Sequence, residues 1–231
     1  MHHDPRTTSR STAPQNDPRA NGEKTSSDVK THWEAIHSAK APSQLSWHQF
    51  RPDLSLDFIK RTGIGKSSRI IDVGGGISSL VDGLLAEGYA HLTVLDISGS
   101  ALHVSRRRLG ESAAKVTWIE ADITQVLLPS QAFDVWHDRA VFHFLTNSED
   151  RRKYLYALQR SLRPAGHVVM ASFALDGPSK CSGLDVRRYS PGNMREEFGV
   201  GFELLGSAKE THVTPSGGEQ RFVYCHMRSV H

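Results

Sequence analysis

Carboxylate side chains occur at the ends of three successive apolar segments, where they could bind the polar groups of a nucleoside. Asp72 lies in RIIDVGGG, Asp96 ends LTVLD and Asp122 follows VTWIEA. Asp96 comes 24 residues after Asp72, close to the separation of about 20 at which an acid contacts ribose hydroxyls in nucleotide-binding folds. We interpret Asp122, with the apolar Ile123 beside it, as placed for an adenine ring and its exocyclic amine.

The glycine turn Gly74-Gly75-Gly76 separates a β-branched segment from one with helical apolar spacing. Such a turn lets ligand atoms approach the backbone and the free N–H groups of the following helix. A dinucleotide turn would need a third glycine at Ser79, and the carboxylate of Asp72 would repel a pyrophosphate. A carboxylate there suits a ligand with an ammonium group. S-adenosylmethionine has an ammonium, a sulfonium and a ribose but no phosphate, so the turn favours it.

Alternating strand and helix segments would bring these acids together. Strand-like segments begin near residues 69, 92, 116, 133 and 166, and the amphipathic segments between them end at glycines or before a proline. Such alternation predicts a parallel sheet with helices on both faces, whose carboxyl ends meet at one edge. The last two strand-like segments flank TPSGG, a hairpin signal. We therefore predict a Rossmann-like α/β fold that is closed by a C-terminal antiparallel hairpin.

The front of the chain differs from the rest in composition. Residues 1–29 are poor in apolar side chains and rich in Ser, Thr, Pro, Asn and charge, which predicts a disordered tail. The remaining residues, 30–231, are expected to form one domain. It begins with two lid helices within residues 30–62, the first capped by Thr31 and the second closed by Gly63.

Charge and cysteine content indicate an ordinary cytoplasmic protein. The net charge is +3 over 231 residues, and the short Arg runs at 106–108 and 151–152 resemble solvated helix faces more than a nucleic-acid patch. No segment has the apolar core of a secretory signal or a membrane span. The two cysteines, Cys181 and Cys225, are expected to be free thiols. No Cys/His spacing predicts a metal site, and no nucleic-acid or membrane partner is expected. The oligomeric state is left open.

The motifs IIDVGGGIS, LTVLDIS, IEADIT and FDVWHDRAVF together resemble those of class I S-adenosylmethionine-dependent methyltransferases. The resemblance covers about residues 31–231 and implies a seven-stranded, mostly parallel sheet with one antiparallel strand. Ser78 stands where many members have a further glycine, and a small serine caps a helix well. The residues expected to contact the cofactor are Trp47, Asp72, Gly74, Gly75, Gly76, Ser78, Asp96, Ile97, Asp122, Ile123 and His137.

One part of the chain is also similar to thiopurine and related thiol S-methyltransferases. That stretch is FDVWHDRAVFHFLTNSEDRRKY, in which Asp138, Arg139, Arg151 or Arg152, and Tyr154 match the family positions. The resemblance implies a low-molecular-weight thiol or sulfide as the methyl acceptor. From the chemistry of a thiol we predict that it is held near His137, Asp138, Arg139 and His143, the expected catalytic residues. Arg139 would favour the thiolate, and His137 or His143 would take the proton. A structural ion pair for Arg139 and a core position for His143 are the alternatives.

The acceptor pocket is expected to combine lid aromatics with the loop after the fifth strand. Its predicted members are Trp33, Phe50, Arg139, Cys181, Arg188 and Tyr189. FDVWHDRAVF lacks the Asn/Asp-Pro-Pro-aromatic sequence of many N-methyltransferases. Three alternatives remain open: a protein-lysine methyltransferase, a methyltransferase for another small molecule, and a module that binds the cofactor without turnover.

Overall fold

The computed structural model describes residues 25–231. Its α-helices are α1 (Ser26–Ala39), α2 (Asp53–Arg61), α3 (Leu80–Ala86), α4 (Gly99–Leu109), α5 (Ser148–Ser161) and α6 (Pro191–Phe198). Its strands are β1 (Arg69–Val73), β2 (His91–Asp96), β3 (Val116–Glu120), β4 (Phe133–Arg139), β5 (Leu162–Phe173), β6 (Lys180–Cys181), β7 (Leu184–Asp185), β8 (Phe202–Val213) and β9 (Glu219–Ser229). None of the helices in this part of the chain is both long and apolar enough to span a membrane.

Seven strands form the main sheet in the order β3-β2-β1-β4-β5-β9-β8, and β6 and β7 make a separate short ladder. Strands β1 to β5 pair in parallel, whereas β9 is antiparallel to both of its neighbours, β5 and β8. The strand order reverses between β1 and β4, and this switch point opens a crevice beyond the carboxyl ends of the strands. The predicted fold, including its one antiparallel strand, is confirmed.

Apolar side chains fill both faces of the sheet. Along β1, Ile70 belongs to one buried cluster, and Ile71 and Val73 belong to the other, because successive side chains of a strand point to opposite faces. Helices α2, α3 and α4 cover the first face, and α5 and α6 cover the second. The sheet is therefore a rigid support for the residues at its carboxyl edge.

The first helix begins earlier than we predicted from the sequence. Thr25 is the N-cap of α1: its side chain accepts a hydrogen bond from the Asp28 N–H at 3.2 Å, and the Asp28 carboxylate accepts one from the Thr25 N–H at 2.9 Å. This reciprocal capping box fixes the helix start. The predicted boundary at residue 30 and the predicted cap Thr31 are therefore wrong. The other residues of the predicted disordered tail, 1–24, lie outside the described residues.

Helix α2 belongs to the core and is not part of a lid. Leu56, Phe58 and Ile59 on α2 are all buried in the cluster on the first sheet face. We expected both helices within residues 30–62 to cover the site, and for α2 this expectation is wrong because its apolar side chains pack against the sheet. The cover comes from α1 and from residues 40–52.

Candidate active site

A cavity lies at the carboxyl ends of β1 to β4, where ligands bind in open α/β sheets. The fold brings every residue that we expected to contact the cofactor to this cavity: Trp47, Asp72, Gly74, Gly75, Gly76, Ser78, Asp96, Ile97, Asp122, Ile123 and His137. Three residues expected in the acceptor pocket also line it, namely Trp33, Arg139 and Cys181.

The glycine turn is packed too tightly for side chains. Gly74 has a φ of +70°, and a Cβ atom there would overlap the side chain of Val141. A Cβ atom on Gly75 would overlap the Asp72 carboxylate, and one on Gly76 would lie 2.5 Å from Oδ2 of Asp96. These glycines let the turn lie directly against Asp72 and Asp96.

Asp72 is a buried acid, and only one of its two carboxylate oxygens forms a hydrogen bond. Its Oδ1 accepts a hydrogen bond from Nδ1 of His137 at 2.7 Å, which leaves Nε2 of His137 to accept from the Ser55 hydroxyl at 2.9 Å. Oδ2 of Asp72 is buried and has no hydrogen-bond partner among residues 25–231. Because an unpaired buried carboxylate oxygen is costly, this atom fits an ammonium group of a ligand.

The other two acids are held at the ends of their strands. Burial raises the pKa of Asp96 to about 7, although the Ser98 N–H donates to its Oδ1 at 2.8 Å. Asp122 accepts hydrogen bonds from the Thr124 N–H at 2.8 Å and from the Ser26 hydroxyl at 2.5 Å. Ser26 is the first residue of α1, so the start of this helix reaches the acid that we expected near an adenine ring.

Helix α1 is fixed across the cavity edge by further polar contacts. The Glu34 carboxylate accepts hydrogen bonds from the N–H groups of Gly99 at 2.7 Å and Ser100 at 3.3 Å, at the N-terminus of α4. Lys30 on α1 forms an ion pair with Glu120 at the end of β3. Helix α1 is therefore held over one edge of the site by its contacts with the strand ends and with α4.

Aromatic side chains form a roof over the cavity. Trp33 on α1 makes edge contacts with Trp47 at 5.7 Å and with Phe144 at 5.1 Å between ring centroids. His37, one turn further along α1, lies against both tryptophans at 6.0 and 6.1 Å. All four residues line the cavity. We call Trp33, His37, Trp47 and Phe144 the aromatic roof.

Arg139 is held in place below this roof. Its Nε donates to the Tyr224 hydroxyl at 3.0 Å, Nη1 to the Trp47 carbonyl at 3.2 Å, and Nη2 to the Glu210 carboxylate at 3.3 Å. The guanidinium also lies 4.4 Å from the centre of the Phe222 ring. Within the described part of the chain, Arg139 is the one Lys or Arg side chain that lines the cavity. Its acidic partner is Glu210, not Asp138.

Asp138 does not face the cavity, so its predicted catalytic role is wrong. Successive side chains of a strand point to opposite faces. His137 and Arg139 therefore lie on one face of β4, and Asp138, between them, lies on the other. The buried Asp138 carboxylate accepts hydrogen bonds from the Val141 N–H, the Phe142 N–H and the Tyr154 hydroxyl at 2.8, 3.1 and 2.6 Å. It therefore shapes the turn that follows β4.

His143 is enclosed by the core, and its predicted catalytic role is also wrong. It does not line the cavity, and it is packed against Phe144 and Phe173 at centroid distances of 4.4 and 4.7 Å. Burial lowers its pKa to about 3. A neutral histidine without access to the cavity cannot exchange a proton with a ligand there.

Three further pocket assignments are wrong. Phe50 is 94% exposed because the chain turns outward before α2. Arg188 is exposed and donates to the Gly177 carbonyl at 3.2 Å. Tyr189 is completely buried in the core, beside Phe142. Cys181 does line the cavity, and burial raises the pKa of its thiol.

Several residues that were not predicted from the sequence hold the site together: Ser55, Glu34, Glu210, Phe222 and Tyr224. Phe222 and Tyr224 are two apart on β9, the spacing that places side chains on one face of a strand. Glu210 lies directly opposite Phe222 in the β8–β9 register. The alternation of side chains along β9 was visible in the sequence. The pairing of Glu210 with Arg139 joins positions 71 residues apart, so it had no local signal.

Comparison with known protein families gives a match for the central part of the chain. Residues 70–166 match a family model described as a methyltransferase domain. This segment contains β1 to β4 and the glycine turn. This match supports the resemblance to class I methyltransferases over this part of the chain.

The chain matches only part of the length of each curated relative. The chain is 27% identical over 132 residues to a ubiquinone/menaquinone biosynthesis C-methyltransferase of Vibrio parahaemolyticus, covering 55% of this chain and 47% of the relative. It is 33% identical over 106 residues to a demethylmenaquinone methyltransferase of Clavibacter sepedonicus, covering 46% and 41%. It is 28% identical over 156 residues to EEF1A lysine methyltransferase 2 of Danio rerio, covering 64% and 60%. The chain thus spans about half the length of most of these relatives.

Solved structures show the same fold at low identity. The N1-methyltransferase for 1,6-didemethyltoxoflavin from Burkholderia thailandensis, with bound S-adenosylhomocysteine, has a TM-score of 0.66 at 18% identity, covering 96% of this chain and 94% of that one. The N-methyltransferase NodS from Bradyrhizobium japonicum, also with S-adenosylhomocysteine, has a TM-score of 0.67 at 14% identity, covering 87% and 99%.

Proposed function

We propose that this chain, whose residues 70–166 match a methyltransferase-domain family model, transfers a methyl group from S-adenosylmethionine to a low-molecular-weight thiol. The observation that carries this proposal is the division of the cavity into two ends. One end presents three acids beside a glycine turn. The other presents aromatic rings and a single guanidinium, that of Arg139.

The acidic end suits S-adenosylmethionine, the cofactor of this family. When bound, this cofactor supplies an electrophilic methyl group on a sulfonium. The free oxygen of Asp72 would hold its ammonium group, Asp96 its ribose hydroxyls, and Asp122 its adenine amine. The glycine turn would admit the ligand close to the backbone N–H groups.

The aromatic end suits a soft, anionic nucleophile. A free thiol has a pKa of about 8.5, and a nearby guanidinium favours the ionised form. Arg139 has the required charge, and its contacts with Tyr224, Trp47 and Glu210 fix its position. Because Phe173, Phe222 and the aromatic roof line this end with aromatic rings, a thiolate between them would be poorly hydrated and held close to the methyl group.

The roof favours a small acceptor over a protein side chain. Trp33 and Trp47 contact each other across the top of the cavity, and α1 is tied to the strand ends and to α4. A lysine on a folded protein would have to displace this helix to reach Arg139. A small thiol has a much smaller volume, so it needs a smaller opening of the roof.

The test is release of S-adenosylhomocysteine by the purified protein with matched acceptors. Each thiol is paired with its oxygen analogue, for example thiophenol with phenol and 2-mercaptoethanol with ethylene glycol. A demethylated quinol and a denatured protein mixture represent the chemistry of the curated relatives. We expect saturable turnover with thiols and, because soft nucleophiles are preferred, turnover with the alcohols that is lower by about 100-fold or more.

Two variants act as controls for this test. Asp72→Asn should lose turnover through weaker cofactor binding, and Asp57→Asn, on the exposed side of α2, should behave as the wild type. Turnover of the quinol or labelling of the protein mixture, with silent thiols, would contradict the thiol proposal and assign the acceptor to that class. Binding of S-adenosylhomocysteine without any turnover would contradict catalysis itself.

A further inference from the structure

A thiol acceptor gives up a proton, and the cavity offers few groups that could take it. His137 lines the cavity, but its two ring nitrogens are engaged by Asp72 and Ser55. His143 is enclosed in the core, as described above. His212 does not line the cavity, and its Nε2 lies 2.8 Å from the Ser46 carbonyl.

Two other histidines line the cavity, and they lie in different places. His48 is close enough to Arg108 for the charge of that residue to lower its pKa further. Arg108 is bonded to the carbonyls of Ile77 and Ser78 in the glycine turn, so His48 belongs to the cofactor end. His37 belongs to the aromatic roof, at the end of the cavity that suits the acceptor.

His37 is positioned by stacking and not by polar contacts. It lies against Trp33 and Trp47, and its buried Nδ1 has no hydrogen-bond partner within residues 25–231. Trp47 also connects it to Arg139, because the Trp47 ring contacts His37 while the Trp47 carbonyl accepts a hydrogen bond from Arg139. The roof and the guanidinium therefore enclose the same space from two sides.

We propose that His37 is the catalytic base that accepts the proton of the acceptor. This inference rests on the proposed thiol methylation. Burial lowers the pKa of His37, and the only charged group with a resolved effect on it is Glu34, one turn earlier on α1, which raises the pKa by a smaller amount. The ring is therefore neutral at pH 7 and has a nitrogen free to accept a proton.

The step is balanced in protons and electrons. The S–H bond of the acceptor breaks with its electron pair left on sulfur, and the proton moves to the unprotonated ring nitrogen of His37. The sulfur pair forms the new bond to the methyl carbon, while the former carbon–sulfur bond of the sulfonium breaks and leaves its pair on that sulfur as a neutral thioether. The imidazolium of His37 then loses its proton to water.

The test compares two thiols that differ in whether they need a base. An alkyl thiol is protonated at pH 7, whereas a nitro-substituted aromatic thiol is already a thiolate. His37→Phe keeps a flat ring between the tryptophans but cannot accept a proton. We expect this variant to lower kcat for the alkyl thiol by about 100-fold and to leave that for the ionised thiol within about threefold of the wild type. Raising the pH should restore much of the loss.

Binding of S-adenosylhomocysteine, measured by calorimetry, gives a readout that does not depend on turnover, and it should be unchanged in His37→Phe. His103→Gln, which alters an exposed histidine on α4, is the matched control. Equal losses for both thiols would show that His37 only supports the roof and would overturn the proposal, as would no loss for either thiol. Failure of the wild type on both thiols would instead overturn the proposed function.

Discussion

Asp72 is the residue with the most direct link between local geometry and ligand chemistry. Its free oxygen should form a charge-assisted hydrogen bond with the ammonium of the cofactor, and such bonds contribute about 1.5–3 kcal/mol. We therefore predict that Asp72→Asn weakens S-adenosylhomocysteine binding by about 10- to 100-fold, as measured by calorimetry. Asparagine preserves the shape of the side chain, and its amide oxygen can still accept a hydrogen bond from His137.

A ligand without the amino-acid arm provides the control. Methylthioadenosine has the same nucleoside but no ammonium group, so Asp72→Asn should change its affinity little. Equal weakening of both ligands would indicate that the substitution distorts the glycine turn, and the assignment of Asp72 to the ammonium would then be wrong.

Ala140 carries backbone strain at the edge of the cavity. Its φ is +75°, a conformation that costs an L-residue about 1–2 kcal/mol and that glycine adopts freely. The turn is imposed because the Asp138 carboxylate binds the N–H groups of Val141 and Phe142. Glycine also loses more entropy on folding, so we predict that Ala140→Gly stabilises the fold by only about 0.5–1 kcal/mol.

Chemical denaturation measures this effect. Ala157→Gly, in the interior of α5, is the matched control and should destabilise by about 1 kcal/mol or more because it weakens a helix and removes a buried methyl group. A destabilised Ala140→Gly would show that its methyl contacts outweigh the backbone strain.

The positions of the acids at the strand ends were predictable because each lies next to a short apolar segment in the sequence. Asp72 and Asp96 lie at the carboxyl ends of β1 and β2, Asp122 follows β3 by two residues, and all three line the cavity. Asp138 and Phe50 were misplaced for different reasons. The alternation of β4 excludes Asp138 from the face that carries His137 and Arg139, and this could have been deduced. The direction of the chain at Phe50 is set by tertiary packing and has no signal in the neighbouring residues.

At the level of elements, α1 is attached to the rest of the molecule through side chains that are only partly buried. None of its residues is fully buried, and its contacts with the rest of the chain include the polar ones made by Ser26, Lys30 and Glu34. A segment with few buried apolar contacts opens at low free-energy cost. This property suits a helix that must admit both ligands.

Removing one polar contact should therefore loosen α1 selectively. The Glu34 carboxylate binds two N–H groups at the N-terminus of α4, an interaction that contributes about 1 kcal/mol. We predict that Glu34→Ala raises hydrogen exchange in residues 26–39 by about 5- to 10-fold while β1 and β4 remain protected. Glu149→Ala, on the exposed start of α5, should leave α1 unchanged. Increased exchange throughout the sheet would mean that α1 is part of the cooperative core.

The start of α1 shows how a local signal can be overlooked. Thr25-Ser-Ser-Asp28 has the spacing of a capping box, yet the polar composition before residue 30 outweighed it in our prediction. The predicted hairpin is formed by β8 and β9, and the turn residues TPSGG lie between these two strands. That β9 lies between β5 and β8 followed from the family resemblance. A hairpin signal alone does not specify which strand pairs with the sheet.

For the whole molecule, burial of ionisable groups makes folding depend on pH in two opposing ways. The pKa of Asp96 is raised to about 7 and that of Asp138 to about 6. As the pH falls, these acids bind protons in the folded state at a higher pH than in the unfolded state. Their protonation therefore favours folding as the pH falls. His143, with its pKa lowered to about 3, has the opposite effect because the unfolded chain binds its proton near the ordinary value of about 6.5.

The contribution of His143 can be isolated by substitution. Between about pH 7 and pH 5 the unfolded wild type gains a proton on this residue that the folded state does not, which costs about 2 kcal/mol of stability. His143→Asn keeps a polar acceptor near the Phe173 N–H but does not titrate. The variant should be less stable than the wild type at pH 7, because its ring contacts with Phe144 and Phe173 are lost, and the deficit should shrink by about 2 kcal/mol at pH 5. Denaturant unfolding at both pH values measures the difference, and His103→Asn should show none. A constant deficit would mean that water or a local opening reaches His143, so that the folded protein can protonate it.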